Sequence, residues 1–362
     1  MGTPPLADDL CIEAVRAVSL HRSKQDAAAS LGIPRSTLRS RIRKAEERGI
    51  YADEPSFSVD PLTSEDVPTP DLLARKDRDW ERKKQARSDR NLIHIKLNVD
   101  GPFGLMFFGD PHIDDDGCNW KLFREHTELI KENRDILFSV LAGDLTNNWI
   151  GRLNYKYGQQ TITAKQSWQL VEWWLTELGE SIMLGVMGNH DHWARGVQGS
   201  SPLEWFMANR TGVLEPYEVN ASINTPSGES FTVNLRHNFK GSSIYNKALA
   251  GMVKQLRIKG WWPDIMLAGH IHISQFTQVL NPTTKRVTHL VRASGYKEID
   301  DYADREEFAD HSIFESAVLV CDPYEKDPRY RVRVYDPIHG VKVLKMMRSE
   351  WECDKSAGTF IL

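Results

Sequence analysis

Four hydrophobic runs of this chain end in the same way, and that shared ending most restricts how the chain can fold. Each run is followed directly by glycine and then by Asp, Asn or His; the runs are Phe103–Phe108, Ile136–Ala142, Ile182–Met187 and Ile265–Ala268. Glycine lets the backbone leave a strand sharply. In open α/β sheets, ligands bind in the crevice beyond the carboxyl ends of the strands. We therefore expect the polar side chains after these runs to converge on one place.

The rest of the chain from Ile93 onward predicts an α/β domain. Helices are predicted at 120–133, 163–178, 202–209 and 245–258. Further strands are predicted at 93–99, 231–235, 287–292, 314–320 and 330–334. Alternation of strands and helices is typical of a layered α/β fold. Because several later strands follow one another without a helix, we predict a mixed sheet.

The residues before Ile93 differ in pattern from those after it. Apolar residues recur at helical spacing as far as Gly49, and Tyr51 to Pro70 is rich in Pro, Ser, Asp and Glu. Asp71 to Arg90 is densely charged and predicts a solvated helix. We therefore predict a small all-α domain at 1–50, a linker with a charged helix at 51–92, and one large α/β domain at 93–362.

The side chains at the strand ends have the chemistry of a metal site. They offer carboxylate, imidazole and amide groups without thiolate, a set that suits Mn²⁺, Fe, Zn²⁺ or Ni²⁺. Asp110 and His112 are two residues apart and can bind the same ion. His270 and His272 can do the same, or they can divide between two ions.

Five motifs occur in a fixed order between residues 93 and 334. They are Asp110-x-His112, Gly-Asp144-x-x-Asn147, Gly-Asn189-His190-Asp191, the single His237, and Gly-His270-x-His272. This order resembles the calcineurin-like metallophosphoesterase superfamily. The resemblance implies a four-layer α-β-β-α sandwich of two sheets flanked by helices, with a binuclear metal centre at the strand ends.

The resemblance also implies a role for each motif residue. The first metal would be bound by Asp110, His112 and His272, the second by Asn189, His237 and His270, and Asp144 would bridge the two. Two divalent ions, Mn²⁺ as first choice with Fe, Zn²⁺ or Ni²⁺ as alternatives, would activate water and neutralise the phosphate. His190 would protonate the leaving oxygen, and Asp191 would hydrogen-bond its ring and keep it protonated. A packed histidine without a catalytic role is the alternative for His190.

Residues 23–38 resemble a bacterial helix-turn-helix. Ala28 is small where two helices must approach, and Gly32 supplies the turn. The positions suited to a small core are Leu31, Ile33, Leu38 and Ile42, together with Ile12, Val15 and Val18 of a preceding helix at about 10–18. This region therefore predicts a three-helix unit.

The second helix of that motif, at about 35–48, has a basic excess that suits phosphate binding. The predicted DNA contacts are Arg35, Ser36, Thr37, Arg39, Arg41 and Arg43. A solvated helical hairpin that contacts other proteins is the alternative. Because helix-turn-helix proteins often pair, a homodimer is compatible with this motif.

Composition restricts the class of protein without identifying a partner. The 46 Lys and Arg residues nearly balance the 50 Asp and Glu residues, giving a net charge of −4 that hides the basic helix. Four separated cysteines form no CxxC pair, and every apolar run is too short to span a bilayer. We therefore expect a cytoplasmic protein without a membrane partner.

Three hypotheses about function follow. The leading one is a binuclear-metal-dependent phosphodiesterase that hydrolyses phosphate esters, specifically a DNA nuclease targeted by its helix-turn-helix. The second is a phosphomonoesterase or a cyclic-nucleotide phosphodiesterase. The third is a DNA-binding regulator with an idle metal site, which the complete set of donors together with His190 and Asp191 argues against.

Overall fold

Two mixed β-sheets form the centre of the larger part of the chain. The structure is a computed structural model that describes residues 6–51, 65–241, 243, 246–298 and 314–357. The strands are β1 Ile93–Lys96, β2 Phe103–Phe108, β3 Leu137–Leu141, β4 Ile182–Val186, β5 Val213–Glu215, β6 Glu218–Asn224, β7 Ser230–Arg236, β8 Ile265–Ala268, β9 Gln275–Leu280, β10 Val287–Arg292, β11 Ser316–Cys321 and β12 Val332–Tyr335. The helices are α1 Asp8–Leu20, α2 Lys24–Ser30, α3 Arg35–Glu47, α4 Thr69–Asp89, α5 Trp120–Glu132, α6 Ala164–Leu178, α7 Asn189–Gln198, α8 Pro202–Met207, α9 Ala250–Lys259 and α10 Pro337–Ser356.

Three of the four glycine-ended strands, β2, β3 and β4, lie side by side in one sheet, and the fourth, β8, belongs to the other sheet. One sheet has the order β12-β11-β2-β3-β4-β5, in which β2, β3, β4 and β5 are parallel. The other has the order β1-β6-β7-β8-β10-β9, in which β7, β8 and β10 are parallel. Neighbouring parallel strands end at the same edge of a sheet, so the loops after β2, β3 and β4 are adjacent.

Successive side chains of β2 point to opposite faces of its sheet, and this alternation shows how the layers are built. All six of its residues are buried, because one face of the strand packs on the other sheet and the opposite face packs on helices. Phe103 meets Phe231 of β7 edge to face between the sheets, with ring centroids 5.4 Å apart. Phe108 meets Trp174 of α6 on the helical side, at 5.1 Å.

The helices cover the outer faces of both sheets. Residues of α5, α6 and α10 pack on the first sheet, and Met252 and Leu256 of α9 pack on Met266 and Leu290 of the second. The predicted α/β fold with four α-β-β-α layers is thereby confirmed.

Several elements differ from the sequence-based predictions. The strands β5, β6 and β9 and the helices α7 and α10 were not predicted. β9 is an edge strand with alternate residues exposed, and β6 contains few β-branched residues, so neither has a strong hydrophobic signal. α7 begins at Asn189, inside the Gly-Asn-His-Asp motif. Helix α9 begins at Ala250, later than the predicted start, and Tyr245 lies outside the described residues.

The chain consists of two compact units, Met1–Lys76 and Asp77–Leu362. In the first unit, α1, α2 and α3 pack around a small core of Ala14, Ala17, Ala27, Ala28 and Leu38. Leu31, Ile33 and Ile42 pack against it, at positions predicted to be suited to the core. The prediction for Ile12 was wrong: its side chain is 46% exposed, because α1 turns its small residues inward where the helices are close.

We predict that Trp174→Ala lowers the free energy of unfolding by about 3–5 kcal/mol, because it empties a large site in the helix-covered core. The Trp174 side chain is fully buried and donates a hydrogen bond from Nε1 to Oγ1 of Thr127. Urea denaturation followed by circular dichroism measures this loss. The matched control is Trp173→Ala, since Trp173 is the next residue of α6 and is 37% exposed. Equal losses for the two variants would contradict the described packing.

Candidate metal centre

The predicted metal ligands lie just after the ends of five strands, six of them in loops and Asn189 at the first position of α7. Asp110 and His112 follow β2, Asp144 follows β3, Asn189 follows β4, His237 follows β7, and His270 and His272 follow β8. Three of these strands belong to one sheet and two to the other. The seven residues therefore come from both sheets.

Donor atoms of six of these residues and of His190 form three groups in which the atoms lie within 4.8 Å of one another. The groups are Asp110 with His112 and His272, His112 with Asp144 and His190, and Asp144 with His237 and His270. Asp144 and His112 each belong to two groups, so the groups form one continuous centre. The first group contains the three residues that the resemblance assigns to one metal, and the third contains His237 and His270, which it assigns to the other. Asp144 belongs to the third group and shares the second with His112.

His237 shows most clearly that the donors converge. Its Nε2 lies 3.0 Å from Oδ1 of Asn189, 3.0 Å from Nδ1 of His270 and 3.1 Å from Oδ2 of Asp144. Its Nδ1 lies 2.9 Å from the carbonyl oxygen of Ala142, which can only accept, so Nδ1 carries the proton. A single hydrogen on Nε2 cannot serve three partners, whereas a cation among them could.

The charge of the centre also favours a cation. Burial acts to lower the pKa of His237, but the carboxylates of Asp110 and Asp144 raise it to about 10. Asp144 itself is buried, which would raise its pKa, yet the surrounding His237, His190 and His112 lower it. Two buried carboxylates thus stabilise positive charge at this position.

Two buried donor atoms of the centre supply the test of whether metal ions fit it. Among the described residues, neither Oδ1 of Asp110 nor Nδ1 of His112 has a hydrogen-bond partner. Leaving buried polar atoms unsatisfied costs roughly 1–3 kcal/mol each. These two atoms belong to residues whose donor atoms lie within 4.8 Å of one another and of His272, an arrangement that suits a divalent ion, so the residues present fit metal ions.

Backbone strain is concentrated in the same loops. Six described non-glycine residues have positive φ, and five of them lie here: His112 at 40°, Asp144 at 50°, Asn148 at 43°, His270 at 76° and His272 at 49°. Residues with a Cβ rarely adopt a positive φ, and such a backbone conformation persists only where the surrounding structure enforces it. The loops therefore hold four of the seven candidate ligands in conformations that ordinary turns avoid.

Glycines at the strand ends allow the loops to approach this closely. A Cβ on Gly188 would lie 2.0 Å from Oδ1 of Asp144, and one on Gly143, where φ is 93°, would lie 2.2 Å from the backbone N of Gly188. A Cβ on Gly269 would lie 2.2 Å from Oδ1 of Asp110. Each of these glycines is thus required by contact with a candidate ligand or with its loop.

Asp191 does not have the predicted partner. Its carboxylate accepts hydrogen bonds from the backbone N–H groups of Gly188 and Asp144, both 2.8 Å long, and from that of Leu145. The predicted bond to the ring of His190 was wrong, because Nδ1 of His190 lies 2.5 Å from the carbonyl oxygen of Asn147. Asp191 is therefore a positioning residue that ties the loop after β3 to the start of α7.

Tryptophans that the sequence analysis did not single out surround His190. The ring centroid of His190 lies 4.1 Å from that of Trp193 and 5.5 Å from that of Trp149. Asn148 donates from Nδ2 to the carbonyl oxygen of His190, and buried Asp114 accepts from the N–H of Asn147. Trp149 and Trp193 each follow a motif within three residues, which is the signal that could have identified them.

The predicted DNA contacts fall on two sides of α3. Arg35, Arg39 and Arg43 are exposed and are spaced four residues apart, so they share one face of the helix, with Ser36 exposed nearby. Thr37 is half-buried. Arg41, also predicted as a contact, is less accessible than these arginines: its side chain is only 15% exposed and its guanidinium lies 3.6 Å from Glu13 of α1. Arg41 therefore links two helices of the first unit.

A comparison with protein families supports what the geometry indicates. The family model of the calcineurin-like phosphoesterases matches residues 103–309, which is more than half of the 362-residue chain. The chain belongs to the calcineurin-like phosphoesterase family. Calcineurin-like phosphoesterases are generally hydrolases of phosphate esters that bind divalent metals. No curated protein matches the chain at a significant level.

The matched range contains all seven candidate ligands of this calcineurin-like phosphoesterase, and α1 to α4 lie outside it. Among the described residues, no helix combines the length and apolar character needed to cross a membrane.

We predict that Gly188→Ala reduces binding of Mn²⁺ by the purified protein, because the added methyl group would displace the carboxylate of Asp144. Isothermal titration calorimetry measures the stoichiometry and affinity. The matched control is Gly158→Ala, since a Cβ at Gly158 meets no described atom within 4 Å. Unchanged Mn²⁺ binding in the Gly188 variant, with the protein folded, would contradict the proposed position of Asp144 at the metals.

Proposed function

We propose that this chain is a metal-dependent phosphodiesterase that hydrolyses DNA and that uses its N-terminal helices to bind the nucleic acid. The observation that carries the proposal is the presence, in one chain, of a phosphoesterase centre and a helix with three exposed arginines on one face. The two parts suit the same substrate, because a phosphodiester backbone supplies both the scissile bond and the charge that arginine binds.

The seven strand-end residues would hold the metals. Asp110, His112 and His272 suit one ion, Asn189, His237 and His270 suit a second, and Asp144 adjoins both sets. Bound divalent cations supply positive charge that neutralises phosphate oxygens and lowers the pKa of water. Mn²⁺ is our first choice, because the donors mix carboxylate, imidazole and amide groups without thiolate.

His190 is placed to hold and deliver a proton. Nδ1 donates to the carbonyl oxygen of Asn147, so this nitrogen keeps its hydrogen and fixes the orientation of the ring. Nε2 is then the atom that can carry a second proton and transfer it to the leaving alkoxide. The backbone N–H of His190 donates to Oδ1 of Asp144, which anchors the proposed acid beside the centre.

The exposed face of α3 supports binding to DNA. Helix α3 follows a tight turn in which Gly32 has a φ of 63°, and its buried side packs through Leu38 and Ala45. A neighbouring, exposed face presents Arg35, Arg39 and Arg43. A helix held in this way can enter the major groove while its arginines contact phosphates and base edges.

We predict that the full-length protein with Mn²⁺ cleaves DNA and a bis(p-nitrophenyl) phosphate diester, and that EDTA abolishes both activities until metal is restored. His190→Ala lowers kcat on DNA by about 10²–10⁴-fold, the usual contribution of a general acid. The diester loses less activity, because p-nitrophenolate leaves without protonation. Rates on the two substrates are measured side by side.

The matched control for His190→Ala is His94→Ala, since His94 is exposed on β1. Equal losses on DNA and on the diester would contradict the role of His190 as an acid. Cleavage of a phosphomonoester or a cyclic nucleotide without cleavage of DNA would contradict the nuclease proposal and favour the alternative enzyme. Absence of metal-dependent turnover on every substrate would favour a regulator.

We predict that replacing Arg35, Arg39 and Arg43 together by alanine weakens DNA binding at least tenfold. The slope of log affinity against log salt concentration falls by about 0.9 for each lost phosphate contact. Gel-shift titrations at several salt concentrations measure both effects. Hydrolysis of the small diester tests whether the catalytic unit is intact in this variant.

The charge-matched control replaces Lys121, Lys342 and Lys345, which are exposed residues of the second unit. Loss of affinity in this control to the same degree would show that total charge alone determines binding. Unchanged affinity in the arginine variant would contradict the role of α3 in binding DNA.

A further inference from the structure

An open depression lies beside the candidate metal centre. Its volume is about 510 Å³, and it is lined by Asn189, His192, Trp193, Arg195, Gly196 and Tyr217. Asn189 also belongs to the metal centre, where its Oδ1 lies 3.0 Å from Nε2 of His237. A single ligand could therefore extend from the metal centre into the depression.

Tyr217 forms a flat aromatic surface in this depression. Its ring stacks on that of His192 with centroids 4.8 Å apart and planes 13° from parallel, yet its side chain is 72% exposed. His192 is fixed in turn, because its Nε2 donates to the carbonyl oxygen of Pro216. One face of Tyr217 is thus supported by the protein while much of the ring remains open to a ligand.

The remaining walls suit a nucleotide. Trp193 packs its ring at 4.1 Å from that of His190, so an aromatic wall adjoins the proposed acid. Arg195 is 38% exposed at the rim, where its guanidinium forms a long ion pair with Glu204, 3.9 Å away. Aromatic surfaces stack on any nucleobase, because every base has a π-face, and a basic rim attracts the backbone.

We propose that this depression is a nucleobase subsite in which Tyr217 stacks on the base of the nucleotide whose phosphate lies at the metal centre. The inference rests on the proposed function, because it takes the bound phosphate to be part of a nucleotide. It makes the enzyme selective for nucleotide diesters over simple alkyl diesters. The subsite gives no preference for base sequence, because every base can stack on an aromatic ring.

The test compares two diesters with the same leaving group. One is the p-nitrophenyl ester of thymidine 5′-monophosphate, and the other is methyl p-nitrophenyl phosphate, which has no base. For Tyr217→Ala, the ratio of kcat/KM for the nucleoside ester to that for the methyl ester falls about tenfold, as expected from loss of one stacking contact. Tyr217→Phe keeps the ring and restores the ratio.

The matched control is Tyr330→Ala, since Tyr330 is another exposed tyrosine, 53% accessible, on the chain between β11 and β12. An unchanged ratio in Tyr217→Ala, or an equal fall in Tyr330→Ala, would overturn the subsite.

A binding measurement separates this inference from the proposed function. If the parent protein with Mn²⁺ hydrolyses neither ester, the proposed function fails. Calorimetric binding of dTMP and of inorganic phosphate then tests whether the subsite exists. A lower ratio of dTMP affinity to phosphate affinity in Tyr217→Ala supports the subsite. An equal ratio in the parent and the variant overturns it.

Discussion

The close approach of the loops after β3 and β4 is the constraint on which the candidate metal centre depends. Gly143 and Gly188 bring backbone against backbone there, at distances that a Cβ on either residue would prevent. The buried carboxylate of Asp191 joins the two loops by accepting hydrogen bonds from the N–H groups of Gly188 and Asp144. Burial and the charge of Asp144 raise the pKa of Asp191, while these two N–H donors act to lower it. Asp144 is thereby fixed where the donor groups meet.

The sandwich supplies the rigidity that this arrangement needs. The strands β2, β3 and β4 are buried almost throughout, between the opposite sheet and the helical layer. A packed core of this kind resists local shifts. It can therefore hold His112, His270 and His272 at positive φ, at a cost of order 1–3 kcal/mol each. The fold thus maintains a cluster of donors in which Oδ1 of Asp110 and Nδ1 of His112 have no hydrogen-bond partner among the described residues.

Much of the site was predictable because its signal is local. Glycine followed by Asp, Asn or His after a hydrophobic run identifies a strand end and its ligand within a few residues, and Asp110, Asp144 and His270 were found in this way. The partners of Asp191 and Arg41 were not predictable. Asp191 is next to His190 in sequence but bonds to backbone groups, and Arg41 belongs to a basic helix but faces Glu13. Neighbourhood in sequence does not fix the direction of a side chain.

The sequence by itself determined the layered α/β class, the order of the motifs and the donor chemistry, because hydrophobic periodicity and residue type are properties of short segments. Only the tertiary structure decided which donors share a group, since Asp144 meets His237 and His270 through the pairing of strands far apart in the chain. It also decided that Tyr217, which is outside every motif, lies beside Asn189. The physical reason is that strand order within a sheet, and the face on which a side chain emerges, depend on long-range packing.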